Sequence, residues 1–162
     1  MAASLDLQCG GAVGETHPIP GGTPASTPTA VPSPESIAQL VHAFYADVRA
    51  DPLLGPVFEK ALHGQWDTHL ERLVDFWSTV ALGTRSFKGD VFGKHMALDG
   101  VTPAHFAAWV RLWQLHTTRL FAPDAAQQLQ LAAHGIARNL FRGYFGEAPS
   151  FSTDVTPDTR AH

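Results

Sequence analysis

The chain is poor in features that mark several large functional classes. Of its 162 residues one is a cysteine, Cys9, so no internal disulfide can form, and that thiol lies among Gly and Pro. Lys and Arg number 11 against 15 Asp and Glu, a net charge of −4, which leaves no surplus of cations to neutralise phosphates. No nucleic-acid partner is expected. No apolar run approaches the ~18 residues a spanning helix needs, and no Lys or Arg precedes Arg49 to form the positive region of a secretory leader. These absences predict a cytoplasmic protein without a membrane partner. Also missing are GxGxxG, the P-loop, HExxH, CxxC and GxSxG, so nucleotide, zinc-protease, dithiol and hydrolase chemistry have no local support. Glu35, Glu59 and Glu71 have no His three positions on, which removes the carboxylate-bridged di-iron pattern.

Aromatics are present in strength, with 10 Phe and four Trp in a chain that is 44% hydrophobic, enough for one well-filled core. Residues 1–32 hold no aromatic and are rich in Gly, Pro, Ser, Thr and Ala, a composition that cannot offset the entropy of ordering. We expect a disordered tail over 1–32, one domain over 33–146 and a flexible tail over 147–162. Ser33 and Pro34 supply a cap and a first-turn proline, followed by Ile37, Leu40, Val41, Phe44 and Val48 at helical spacing. "PLLGPVFEKALHG" reads as a compact turn. A second helix carries Trp66, His69, Leu70, Leu73, Phe76, Trp77 and Val80 on one period, and Gly83 is placed to end it. A short apolar segment, "DVFGKHMAL", precedes a helix capped by Thr102 and Pro103 and a last helix over about 124–144. No period-2 run of useful length occurs, so the expected class is all-α, with four sizeable helices and one short one.

Histidine is the residue type left to carry chemistry. A lone His in an apolar stretch is ordinarily a core residue with one hydrogen bond. Here His69 lies on the aromatic side of its helix and His95 sits in the next segment, so two imidazoles from consecutive helices would flank a flat, aromatic-lined pocket. A haem needs a neutral imidazole nitrogen for iron, an apolar slot for the macrocycle and polar donors on the opposite side. Tyr45 and Trp109 are the candidate donors. Spacing alone leaves open which histidine takes the iron. Trp66, Trp77 and Trp113 read as core or slot packing, and His42, His63, His105, His116 and His134 as surface or helix-end residues.

Four blocks carry a family resemblance: "FYADVRADPLLGPVF" (Phe44 to Phe58), "WDTH" (Trp66 to His69) followed by "FWSTVALG" (Phe76 to Gly83), "FKGD…KHMAL" (Phe87 to Leu98) and "FAAWVRLW" (Phe106 to Trp113). Together, over Glu35 to Gly146, the chain resembles the group III truncated haemoglobins, bacterial globins with a 2-on-2 helical sandwich around a haem. The resemblance implies haem b as cofactor, with His95 as proximal iron ligand and Tyr45, His69 and Trp109 as the distal residues that stabilise a ligand. His69 could also gate the pocket or bind iron as a sixth ligand. It places Phe58 against the macrocycle. Trp66, Phe76 and Phe92 are further candidates to line the slot, and Arg72 and Lys94 to pair with the haem propionates. Phe87 departs from the Tyr common before "KG" in relatives, and the Gly-Gly hinges of other truncated-globin groups are missing from the part expected to fold.

The implied function is binding of dioxygen and other diatomic ligands, CO and NO among them. Two donors would slow ligand escape by ~10²-fold, which suits NO or peroxide chemistry, as an NO dioxygenase or peroxidase-like activity, with an unidentified reductase or electron donor, better than bulk transport. The rival readings are a haem-based gas or redox sensor and a haem-free helical interaction module whose aromatic stripes are only core.

Overall fold

A computed structural model describes residues 28–149. Cys9, most of the Pro- and Gly-rich segment and the C-terminal tail from 150 onward lie outside the described residues. Six helices follow in order, with no strand among the described residues: α1 (Pro34–Ala50), α2 (Leu54–Leu62), α3 (Trp66–Leu82), α4 (Val91–Met96), α5 (Pro103–Leu120) and α6 (Pro123–Phe145).

α1 starts where its cap is strongest. Ser33 is extended, its hydroxyl accepts the Ser36 amide at 3.1 Å, and the Ser36 hydroxyl accepts the Ser33 amide at 2.8 Å. Two otherwise orphaned donors are thereby satisfied. Ile37, Leu40, Val41, Phe44 and Val48 are all buried, as their spacing requires. The packed region begins slightly earlier than Ser33, because Ala30 pairs with Phe121 and its carbonyl accepts the Ala122 amide at 3.0 Å.

α2 corrects the sequence reading, which took its residues for a turn. Asp51 Oδ1 accepts the amides of Leu53 at 2.8 Å and Leu54 at 2.9 Å, which starts the helix. Pro56 falls in the first turn, where its missing N–H is not needed. Gly55 is required by space: a Cβ there would lie 2.6 Å from the Arg49 carbonyl oxygen. The Gly-Pro pair that looked like punctuation is a tight helix entry.

α3 ends at Gly83 in the left-handed conformation, as its position predicts. Its inner face is only partly covered. Trp66 and Trp77 are buried; His69, Leu70, Leu73 and Phe76 are half-buried; and Val80, on the same period, is 39% exposed. The loop beyond folds back, with the Phe87 amide donating to Thr79 Oγ1 at 3.1 Å and the Phe87 ring edge-on to Phe76 at 5.2 Å. α5 opens with a box in which His105 Nδ1 accepts the Thr102 amide at 3.0 Å, which gives His105 its helix-end role.

Two layers make the sandwich: α1 packs on α3, α5 on α6, and α1 crosses α5 to join them. Trp77 and Trp113 stack at 4.1 Å in the centre, Trp109 stacks on Trp113 at 5.6 Å, and Phe44 meets Trp113 edge-on at 5.0 Å. The Trp113 indole N–H donates to the Leu129 carbonyl at 3.1 Å, so burying this large ring leaves no orphaned donor. Two histidines expected at the surface or at helix ends are elsewhere. His134 is 3% exposed between α5 and α6, with its Nε2 3.3 Å from the Gln114 amide nitrogen. His116 joins the layers through Asp47 at 2.7 Å.

Candidate functional site

The histidine expected on the proximal side lies on α4. Asp90 caps it by accepting the Gly93 amide at 2.9 Å, and Gly93 and the loops around it leave the helix short, with no buried residue. Half-buried His95 has Nδ1 2.7 Å from the carbonyl oxygen of Val91, one turn earlier. A carbonyl only accepts, so the proton is on Nδ1 and the lone pair on Nε2. That is the tautomer a metal requires, fixed by the hydrogen bond on the other ring nitrogen.

The residues expected on the distal side come from α1, α2, α3 and α5. Tyr45 is 4% exposed and lies 6.2 Å from His69, 6.0 Å from Phe58 and 6.4 Å from Trp66, ring centre to ring centre. Burial pushes its phenol far above the ordinary range, partly countered by a hydrogen bond from the Trp109 side chain. An indole N–H can only donate, which gives Trp109 the sign of its effect on the Tyr45 phenol. Trp109 itself is held edge-on to Phe44 at 5.4 Å. His69 is kept below its ordinary pKa, first by burial, then by the positive forms of His95 and Arg72.

Trp66 is fixed by groups that the sequence did not single out. Its indole N–H donates to Glu59 Oε2 at 2.8 Å, the Arg49 guanidinium sits 4.5 Å above its ring, and its edge faces His69 at 6.3 Å. The Trp66 hydrogen bond is the main cause that holds the Glu59 carboxyl below its usual range, with Arg49 and His63 adding to it. Seven residues separate Glu59 from Trp66, two helical turns, but a loop lies between them and erases the signal.

Of the predicted residues, Tyr45, Phe58, Trp66 and His69 come together ring against ring, Trp109 lies beside Phe44, and His95 is on α4. Phe76 lies further along α3 against Trp77 and Phe87. Phe92 is 49% exposed, with its ring tip over Gly143 of α6. Arg72 and Lys94 are exposed and make no ion pair among the described residues. A cavity of about 420 Å³ lies along α6, lined by Leu131, Ala132, Gly135, Ile136 and Arg138 among others, and includes none of the distal side chains. The donor set fits a haem: one imidazole whose Nε2 lone pair is left free by the Nδ1 bond, and a group of aromatic rings and hydrogen-bond donors around Tyr45.

Helical pairs stacked two on two, with a short fourth helix beside them, define a truncated-globin fold. Along the sequence, the chain is 34% identical over 83 residues to the group 3 truncated hemoglobin ctb of Campylobacter jejuni, a stretch that spans 49% of this chain and 65% of that relative's length. The crystal structure of group III truncated hemoglobin from Campylobacter jejuni matches the fold with a TM-score of 0.66 at 27% identity, over 70% of this chain and 91% of that one. No family model matches. In sequence and in fold the chain is thus similar to the group III truncated haemoglobins.

Proposed function

We propose that the protein binds haem b through His95 and uses it to hold dioxygen, or CO and NO, on the side of Tyr45. A bound haem would supply an iron atom with a coordination position for a diatomic ligand. His95 brings the Nε2 lone pair, kept available by the Nδ1 bond to Val91. Phe58, Trp66 and the α3 face bring apolar surface that excludes water, and Arg72 and Lys94 bring rim cations for the propionates.

The observation that carries this reading is that His95 has its Nδ1 proton committed to Val91, which leaves Nε2 for a metal, while the buried Tyr45 side chain sits among Phe58, Trp66 and His69. A donor to a partly anionic ligand contributes on the order of 1.5–3 kcal/mol, tenfold in escape rate for each 1.4 kcal/mol. Strong retention supports redox chemistry with NO or peroxide, fed by an electron donor, over bulk transport. No described helix is long and apolar enough to cross a membrane, and the single cysteine supports a reducing compartment such as the cytoplasm.

Optical spectra of the ferric, ferrous and carbonyl forms test the core of this reading. The expected result is a Soret band that His95→Ala weakens or loses. A purified protein that takes up no haem, or whose spectrum is indifferent to His95→Ala, would sink it. The neutral His69 ring facing His95 favours a second reading of the resting state, with His69 as sixth ligand. A six-coordinate low-spin ferric spectrum that becomes high-spin in His69→Leu supports that reading.

A further inference from the structure

One tyrosine outside the distal group reaches the proximal helix. Tyr144, near the end of α6, donates its hydroxyl hydrogen bond to the backbone carbonyl of His95. Its ring is edge-on to Phe106 at 5.8 Å and tilted against Phe145 at 5.8 Å, so it is anchored in the apolar cluster between α5 and α6. Burial and the nearby Asp99 carboxylate push its phenol above the ordinary range, which keeps on the oxygen the proton that it donates.

The neighbouring residue completes the seat. A Cβ on Gly143 would lie 2.7 Å from Phe92 Cζ and 2.8 Å from Met96 Sδ, so the α4 side chains Phe92 and Met96 rest on the bare backbone of α6 there and would have to shift for a larger residue. α4 has six residues and buries none of them, too short and too uncovered to hold its own place. Two links then fix the imidazole. The bond to Val91 fixes the ring within α4, and α6 fixes α4 within the molecule.

We propose that Tyr144 is a positioning residue for the proximal histidine: by holding the His95 carbonyl on α6, it sets the height and tilt at which His95 presents Nε2 to the haem. The proposal rests on His95 being the iron ligand. Val91 fixes only the rotation of the ring about its own helix, so the second link is independent of the first.

The test uses the full chain loaded with haem. Tyr144→Phe removes the hydroxyl and keeps the ring that packs on Phe106. The expected result is an iron–histidine stretching band displaced from its wild-type position in the ferrous protein, with haem passing to an apomyoglobin acceptor about three- to tenfold faster, the effect of one lost hydrogen bond. Gly143→Ala, which pushes α4 off its seat by another route, should displace the same band. A wild-type band position in Tyr144→Phe overturns the proposal, whatever happens to melting temperature or haem loss, because a purely structural tyrosine would alter those and leave the band. His95→Ala that keeps the wild-type band removes the ligand assignment and the proposal with it, an outcome read without touching Tyr144.

Discussion

Tyr45 is the side chain on which the proposed distal chemistry turns. It is more deeply buried than Trp109, the second donor that the sequence suggested. Tyr45→Phe is therefore expected to remove most of the retention by itself, with dioxygen dissociation faster by about tenfold or more in stopped-flow. An unchanged rate would count against the distal assignment. Trp109→Phe should give a smaller effect, because the Tyr45 hydroxyl survives. His69 adds a pH prediction. Its folded pKa lies below the ordinary 6.5, so the unfolded chain binds the proton more readily. Stability then rises with pH through that window and is lost as pH falls below about 6.5. Thermal melts of His69→Leu should show a shallower acid loss than wild type between about pH 7 and about pH 5.5. His134, pushed the same way by burial and Arg138, supplies part of the slope that remains.

Helix ends were legible where chemistry is local. Ser33, Gly83 and Thr102 stand at the termini the sequence assigned to them, because a cap depends on residues within one turn. Ser33→Ala is expected to cost about 1 kcal/mol, read as a lowered denaturation midpoint with an unchanged slope. α2 was illegible for the opposite reason. Its start depends on Asp51 reaching forward and on Gly55 passing close to the Arg49 carbonyl, an approach made between two helices. Gly55→Ala should destabilise by about 1–3 kcal/mol, since the atom it meets is backbone and cannot swing away. The short α4 was visible as an apolar segment around His95, and the family resemblance gave the histidine its assigned role. That α4 takes its place from Gly143 and Tyr144 was not visible in either.

At the scale of the whole molecule, the two helical layers share a stack of Trp77, Trp113 and Trp109, with Phe44 at its edge. Trp77→Ala is expected to cost about 3–5 kcal/mol, because the stack loses its central contact and the buried space cannot close. Haem should raise the melting temperature of the wild-type chain: a ligand at 100 times its Kd adds about 2.7 kcal/mol. That gain should be absent or much reduced in His95→Ala. The sequence by itself determined the class, the buried face of α1, the caps of the long helices and the residue types at the site, since helical period and capping are short-range and survive without a fold. Only the tertiary structure decided that His134 is buried, that His116 ties α1 to α5, that Glu59 and Arg49 fasten Trp66, and that Tyr144 reaches His95. Each of these joins residues brought together from separate helices or across a loop, and the distance between them is set by how helices pack, a quantity that no local pattern encodes.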